Sequence, residues 1–199
     1  INTQKDALVV ERMNKATSHR GPDGTGQIES KNLALGHVRL SIIDLSESGS
    51  QPLFSRDKRY AISFNGEIIN FKELSYEFLK EEPINDTSVA LKCFLSYGPK
   101  WCIENFRGMY AFIIVDLETN NTTLIRDPFG IKPLFYSQID KRFIASSEII
   151  GIIASKEVPL EIDKRRVYEY LTERHVKAPN TLFTNIKQVR PGEIIEISE

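Results

Sequence analysis

The spacing of apolar and polar positions divides the chain into helices and strands. Apolar residues at helical spacing predict helices over residues 6–18, 71–80, 86–98, 147–153 and 164–172. Alternating or continuously apolar runs predict strands over residues 26–30, 33–43, 59–64, 109–116, 122–126, 134–137 and 142–146, and a short one after a Pro-Gly turn within 188–198. The strands come in runs and do not alternate singly with helices. This order favours an α+β fold of two mainly antiparallel sheets covered by helices.

A strand-like run over residues 59–64 leads into Asn65, Gly66 and Glu67. Asn-Gly favours a plain hairpin turn, because Gly takes a positive φ at no steric cost. No matching strand returns within reach of a hairpin, and a helix with Asn70 as its predicted N-cap follows instead. The second interpretation is chemical. The Asn65 side-chain amide and the Gly66 backbone N–H can point at one oxygen as an oxyanion hole, with Glu67 near a cationic group of the substrate.

Two further charged residues each have a structural and a functional interpretation. Arg39 lies in an otherwise apolar strand, where an unpaired guanidinium would be costly to bury. It either pairs with Asp44 or Glu67, or it forms a fork for a ligand carboxylate, and the pattern leaves both open. Asp86 stands at the start of a helix, so its position alone predicts an N-cap.

The composition is ordinary for a globular protein of one domain, with 199 residues, 41% hydrophobic and 27% charged. The net charge is −1, and no basic stripe or long apolar run indicates a nucleic acid or a membrane as partner. Cys93 and Cys102 lack a metal-type spacing and the chain has 3 His, so no metal site is expected. Cys93 falls on the apolar side of its helix, which predicts a buried structural thiol. Few cysteines fit a reducing compartment, and we expect a cytoplasmic protein.

Several longer motifs occur together in a fixed order. They are residues 18–24 (Ser-His-Arg-Gly-Pro-Asp-Gly), 36–45 (Gly-His-Val-Arg-Leu-Ser-Ile-Ile-Asp-Leu), 65–70 (Asn-Gly-Glu-Ile-Ile-Asn), 108–112 (Gly-Met-Tyr-Ala-Phe), 126–136 (Arg-Asp-Pro-Phe-Gly-Ile-Lys-Pro-Leu-Phe-Tyr) and 145–148 (Ala-Ser-Ser-Glu). In this order they resemble the N-terminal glutaminase domain of asparagine synthetases, over nearly the whole chain. That domain is a class II glutamine amidotransferase of the N-terminal-nucleophile fold. The resemblance implies a four-layer αββα sandwich of two mainly antiparallel sheets.

The resemblance also implies roles for individual residues. Arg39 would clamp the α-carboxylate of glutamine, and Glu67 and Asp86 would bind its ammonium group. Asn65 and Gly66 would form the oxyanion hole. In the family, an N-terminal Cys attacks the side-chain amide, ammonia leaves, and water hydrolyses the resulting thioester to glutamate. A C-terminal synthetase domain then uses ATP and Mg to make asparagine from aspartate and ammonia, so this domain itself is expected to need no cofactor.

The sequence departs from the family pattern in three places. No Cys lies near Ile1, and the family's opening strand is not present, so we expect further residues before Ile1 in the natural protein. The synthetase domain that would follow residue 199 is not present either, and Ile69 stands where the family usually has Tyr. The expected partners are glutamine and the synthetase domain of the same polypeptide, with a homodimer left open.

Three functions are compatible with these residues. The first is hydrolysis of glutamine to supply ammonia for asparagine synthesis. The second is a non-catalytic scaffold module of the same fold, and the third is an amidotransferase domain that serves another acceptor, such as a sugar in polysaccharide biosynthesis. An inactive scaffold has no physical reason to keep Arg39, Asn65, Glu67 and Asp86 together, which favours an enzyme.

Overall fold

The computed structural model describes residues 3–30, 32–40 and 49–198, with only the backbone for residues 3–5. The helices in these ranges are α1 (Thr3–Ala16), α2 (Phe71–Leu74), α3 (Asp86–Asn105), α4 (Ile149–Ser155) and α5 (Lys164–Glu173). The strands are β1 (Gly24–Ser30), β2 (Leu33–Arg39), β3 (Leu53–Phe54), β4 (Tyr60–Ile68), β5 (Gly108–Asp116), β6 (Thr122–Arg126), β7 (Phe135–Ile139), β8 (Arg142–Ser146), β9 (Lys187–Gln188) and β10 (Ile194–Ile197). None of the helices in the described ranges is both long and apolar enough to span a membrane.

The strands form antiparallel sheets. The largest is five-stranded, in the order β10-β6-β5-β4-β3, and β4 and β5 form its longest pairing. A second layer contains the β1-β2 hairpin and a three-stranded sheet in the order β8-β7-β9. Within the described ranges, the pairings between these strands are all antiparallel, as the run of consecutive strands predicts.

Four apolar clusters hold the layers together. Residues of α2 and α3 pack on the outer face of β4 and β5 around Ile62, Phe64 and Phe112. The inner face of the five-stranded sheet packs against β7 and β8 in one cluster and against β1 and β2 in another. On the far side, Val9 of α1 packs with Ile152 of α4 over the outer face of β7 and β8. The layers are therefore helix, sheet, sheet and helix, which confirms the predicted αββα sandwich.

The strand that was expected to stop at Asn-Gly continues to Ile68, so this expectation was wrong. Asn65 pairs with Ala111 and Gly66 pairs with Tyr110 within β4 and β5. The local preference of Asn-Gly for a turn is outweighed because β5 supplies a partner strand along the whole of β4. Gly66 does have the positive φ that was expected, at 143°.

Several helix ends also differ from the prediction. The N-cap of α3 is Asn85, whose side chain accepts from the Ser88 backbone N–H at 2.8 Å, and Asp86 is the first helical residue. Gly98 has non-helical backbone angles (φ 84°, ψ 172°), which confirms the predicted end of the helix there, and a second helical segment follows up to Asn105. Asn70 precedes α2 without a side-chain capping bond, because its amide joins the C-terminal end of α3 instead. The N-cap of α4 is Glu148.

The predicted second strand agrees with β2 up to Arg39. Its last predicted residues, 41–43, lie outside the described residues. The pairs β1–β2, β5–β6 and β7–β8 are each formed by consecutive antiparallel strands.

Candidate active site

A cavity of about 2030 Å³ lies between the two sheet layers. Its lining includes residues of β2, β4, β5 and β8. All the residues predicted for the site line it: Arg39, Asn65, Gly66, Glu67 and Asp86. Arg39 and Asp86 are 47 positions apart in sequence (86 − 39), and both line this cavity. Cys93 and Cys102 are not part of the lining.

Asn65 lines the cavity and carries a buried hydrogen-bond donor. Along β4, Ile62 and Phe64 pack towards the helices, whereas Ala61 packs towards the second sheet layer. Because strand side chains alternate, Ser63 and Asn65 share the inward face with Ala61. The Asn65 Nδ2 atom is buried and has no hydrogen-bond partner among the described residues. A buried unpaired N–H costs on the order of 1–3 kcal/mol, so it needs either an acceptor or a functional reason.

Gly66 is held where a side chain cannot fit. A Cβ atom at this position would lie 2.1 Å from the Met109 carbonyl oxygen of the partner strand. Its φ of 143° is also a conformation that residues with side chains rarely adopt. The residue is exposed and is one of those that line the cavity. Glycine here leaves the backbone open to close approach by a ligand.

Glu67 and Asp86 place two carboxylates beside each other. The Asp86 side chain accepts from the Ile68 backbone N–H at 3.2 Å and from the Thr87 backbone N–H at 2.8 Å, which ties the start of α3 to the end of β4. Burial raises the pKa of Asp86 above its ordinary value, the two backbone N–H groups oppose this, and the charge of Glu67 adds to the rise. Two carboxylates that repel each other in this way favour a cation between them.

Arg39 is the last residue of β2, and residues 21–23 hold its backbone in place. The Asp23 backbone N–H donates to the Arg39 carbonyl oxygen at 3.0 Å, and Pro22 forms an isolated parallel bridge with Arg39. A Cβ at Gly21 would lie 2.4 Å from the Arg39 backbone nitrogen, so only glycine allows this approach. The motif at residues 18–24 therefore positions Arg39.

The expected ion pair of Arg39 was either with Asp44 or with Glu67. Asp44 lies outside the described residues. The salt bridges found among the described residues do not include one between Arg39 and Glu67. The position of Arg39 on the cavity wall is compatible with a fork for a ligand carboxylate.

His19 lies in a short 3₁₀ turn after α1, Ser18–Arg20, and its Nε2 atom is 3.0 Å from a Glu148 carboxylate oxygen. The Arg20 Nη1 atom is 2.8 Å from the other Glu148 oxygen. This cluster also lines the cavity, so the motifs at residues 18–24 and 145–148 meet on its wall.

Sequence reasoning missed two polar contacts next to the predicted site. The His37 Nδ1 atom is 3.1 Å from the Ser63 hydroxyl oxygen, which joins β2 to β4 across the layers. Burial, and then the charge of Arg39, lower the pKa of His37 to about 4, so the imidazole is neutral at physiological pH. The Gln51 side-chain oxygen accepts from the Phe64 backbone N–H at 2.7 Å. No local pattern could have revealed contacts between residues this far apart in sequence.

The two cysteines in the described ranges are buried thiols, as predicted for Cys93. Burial raises the pKa of Cys93 to about 12, with a smaller contribution from Glu81. Burial also raises the pKa of Cys102 far above that of an ordinary thiol. Only the thiolate is a good nucleophile, so neither residue is suited to attack a substrate.

Solved structures of amidotransferases share this fold. The glutamine phosphoribosylpyrophosphate amidotransferase from Bacillus subtilis matches 97% of this chain and 45% of its own chain, with a TM-score of 0.72 and 19% identity. A structure described as the allosteric regulatory enzyme of purine biosynthesis matches with a TM-score of 0.72 and 20% identity, over 97% of this chain and 44% of its own. At this level of identity the likeness concerns the fold alone, and it agrees with the predicted α+β fold of two mainly antiparallel sheets.

A model of the glutamine amidotransferase domain matches residues 1–199, and the chain therefore belongs to this family. Asparagine synthetase [glutamine-hydrolyzing] 1 of Bacillus subtilis is 38% identical over 92% of this chain and 29% of its own length. A putative asparagine synthetase of Methanocaldococcus jannaschii is 37% identical, over 88% and 38% respectively. Asparagine synthetase B of Escherichia coli is 34% identical, over 73% and 26%. The resemblance to asparagine synthetases is thus confirmed, and the chain spans less than two fifths of the length of these relatives.

Proposed function

We propose that this domain hydrolyses glutamine to glutamate and ammonia. The observation that carries the proposal is the buried Asn65 Nδ2 donor, which has no hydrogen-bond partner among the described residues and lies beside the open backbone of Gly66. A preorganised donor that has no partner in the described part of the chain suits an oxyanion that exists only during the reaction, and the Gly66 backbone N–H would be the second donor. Membership of the glutamine amidotransferase domain family supports the same reaction.

The charges around the cavity match the groups of an amino acid substrate. The ammonium group would bind at Glu67 and Asp86, where two carboxylates lie together. The α-carboxylate would bind at Arg39, whose planar guanidinium can hold both of its oxygens. The side-chain carbonyl would then reach Asn65 and Gly66. The substrate needs a cation, an anion and an amide at these places, and glutamine carries all three.

The reaction also needs a nucleophile, and Cys93 and Cys102 are excluded by their burial and position. The proposal assigns the nucleophile to an N-terminal Cys on a further strand of the full-length protein. Among the described strands, β2 pairs with β1 only and β8 pairs with β7 only. Both β2 and β8 line the cavity, so their remaining edges offer backbone groups to a strand that lies between them.

The chemistry proceeds in two steps. The thiolate attacks the side-chain carbonyl carbon of glutamine, and Asn65 and Gly66 stabilise the negative oxygen that forms. The intermediate collapses to a thioester, and the amide nitrogen leaves as ammonia after it takes a proton from the α-amino group of the Cys. Water then attacks the thioester, glutamate is released, and the thiol is restored.

The destination of the ammonia is a further part of the proposal. The relatives are named glutamine-hydrolysing asparagine synthetases, which supports transfer to an activated aspartate in a synthetase domain that uses ATP and Mg. Of the alternatives, a scaffold module is disfavoured by the unpaired donor at Asn65. A sugar acceptor would leave this domain unchanged and is decided by the remainder of the polypeptide.

The test uses the natural full-length protein and measures glutamate released from glutamine. We expect the wild type to form glutamate, and Arg39→Ala to form less of it because its KM for glutamine is higher. We also expect asparagine formation when aspartate, ATP and Mg are added. Glutamate without asparagine would retain the hydrolase and reject the aspartate acceptor. Calorimetric binding of glutamine without any glutamate formation would reject the hydrolase in favour of the scaffold.

A further inference from the structure

The facing strands β2 and β4 are joined across the two layers by an apolar cluster and a hydrogen bond. Leu35 of β2 packs in one cluster with Ala61 of β4. Two residues on, His37 is hydrogen-bonded to Ser63 at 3.1 Å. Strand side chains alternate between faces, so the next side chains on the same faces are two residues further on. They are Arg39 on β2 and Asn65 on β4.

The packing on the opposite face of β2 supports this orientation of its side chains. A Cβ on Gly36 would lie 2.5 Å from Val10 and 2.6 Å from Asn14, so that face packs against α1. His37, its neighbour, therefore points towards the five-stranded sheet. The His37–Ser63 pair lies between an apolar contact and the two groups that would hold opposite ends of the substrate.

The hydrogen-bond directions of the pair can be assigned from donor counting. The Ser63 hydroxyl has one hydrogen and donates it to the Gly36 carbonyl oxygen at 3.2 Å. Its oxygen can then only accept from His37, so His37 carries its proton on Nδ1. A backbone carbonyl of β2, a hydroxyl of β4 and a side chain of β2 are thereby linked in one continuous chain of hydrogen bonds.

We propose that His37 and Ser63 are positioning residues that fix the distance between Arg39 and Asn65 and thereby fit the site to the length of glutamine. This inference rests on the proposed function. Arg39 and Asn65 sit on different sheet layers, and layers held by apolar contacts alone can slide, because apolar contacts are not directional. The hydrogen bonds of the pair are directional. His37 lies two residues before Arg39 on β2, and Ser63 lies two residues before Asn65 on β4.

The test measures kcat and KM for glutamine hydrolysis by the natural full-length protein. Ser63→Ala removes the acceptor, and His37→Ala removes the donor. Each is expected to raise KM and lower kcat, with a loss in kcat/KM on the order of ten- to hundredfold, because small displacements of positioning groups have large effects on rate. The double variant is expected to lose little more than either single variant, since both remove the same link.

Conservative and control variants separate positioning from folding. His37→Asn keeps an N–H donor near the place of Nδ1 and is expected to restore most of the glutamine affinity. Ser137→Ala is the matched control, because its hydroxyl is buried, has no hydrogen-bond partner among the described residues and is absent from the cavity lining. It is expected to behave as the wild type.

Different results would reject the positioning role of His37 and Ser63 and the proposed glutamine hydrolysis. Loss of folded protein would lower kcat in proportion and leave KM unchanged, so an unchanged KM in Ser63→Ala would reject the positioning role. Failure of His37→Asn to recover affinity would also reject it. If the wild type itself hydrolyses no glutamine, the proposed function fails, and that result is seen before any variant is compared.

Discussion

Replacing Asn65 by Ala should separate activity from stability. In the proposed reaction Asn65 donates to an oxygen that becomes negative in the transition state. Removal of one such donor lowers kcat by about 10²–10³, or about 2.7–4 kcal/mol. We therefore expect a loss of this size in kcat for glutamine hydrolysis, with a much smaller change in KM.

The same substitution should not destabilise the fold. The Asn65 Nδ2 atom is buried without a partner among the described residues, and such a group costs roughly 1–3 kcal/mol in the folded state. Its removal relieves that cost, which offsets the packing that is lost with the side chain. The free energy of unfolding of Asn65→Ala, measured by urea titration, is expected to equal or exceed that of the wild type.

Asn105→Ala provides the matched control. Asn105 donates through its side chain to the Trp101 carbonyl oxygen at 2.9 Å, at the end of α3 and outside the cavity lining. It should lose about 1 kcal/mol of stability, as for an ordinary hydrogen bond, and keep its kcat. An Asn65→Ala protein with normal kcat, or one that loses activity only because it unfolds, would refute the oxyanion role.

The other predictions concern the remaining site residues. Arg39→Ala should raise the KM for glutamine strongly while circular dichroism and thermal unfolding stay close to wild type, and an unfolded variant would identify Arg39 as part of a structural ion pair. Asp86 has a raised pKa, so its carboxylate is neutralised as the pH falls through that value; glutamine affinity measured by calorimetry should fall over the same range, and Asp86→Asn should bind weakly without that pH dependence. Gly66→Ala should give little folded protein, because its Cβ would meet the Met109 carbonyl oxygen at 2.1 Å, and a well-folded, fully active variant would contradict the geometry at this position.

The order and type of the elements could largely be predicted from periodicity, since buried strands and amphipathic helices require it. The errors arose where distant contacts outweigh local preference. Asn-Gly favours a turn, but pairing with β5 carries β4 past Asn65 and Gly66 to Ile68. The cap of α3 was misplaced by one residue, because Asn85 and Asp86 are both good caps and only the backbone geometry distinguishes them.

The site could be predicted as a set of residues but not as an arrangement. The residue pattern indicated Arg39 and Asn65, and the family resemblance indicated Asp86; the structure brings all three to one cavity. The pairing of His37 with Ser63 was not predictable, because it depends on how two sheet layers are aligned. Which substrate atoms these residues bind is still a prediction.

The most direct test of the account is covalent labelling of the natural full-length protein with a diazoketone analogue of glutamine, followed by peptide mapping. The account predicts one labelled Cys, at the mature N-terminus and outside residues 1–199, with protection by glutamine and loss of labelling in Arg39→Ala. Labelling at Cys93 or Cys102, or no labelling of a protein that binds glutamine, would contradict hydrolysis at this cavity.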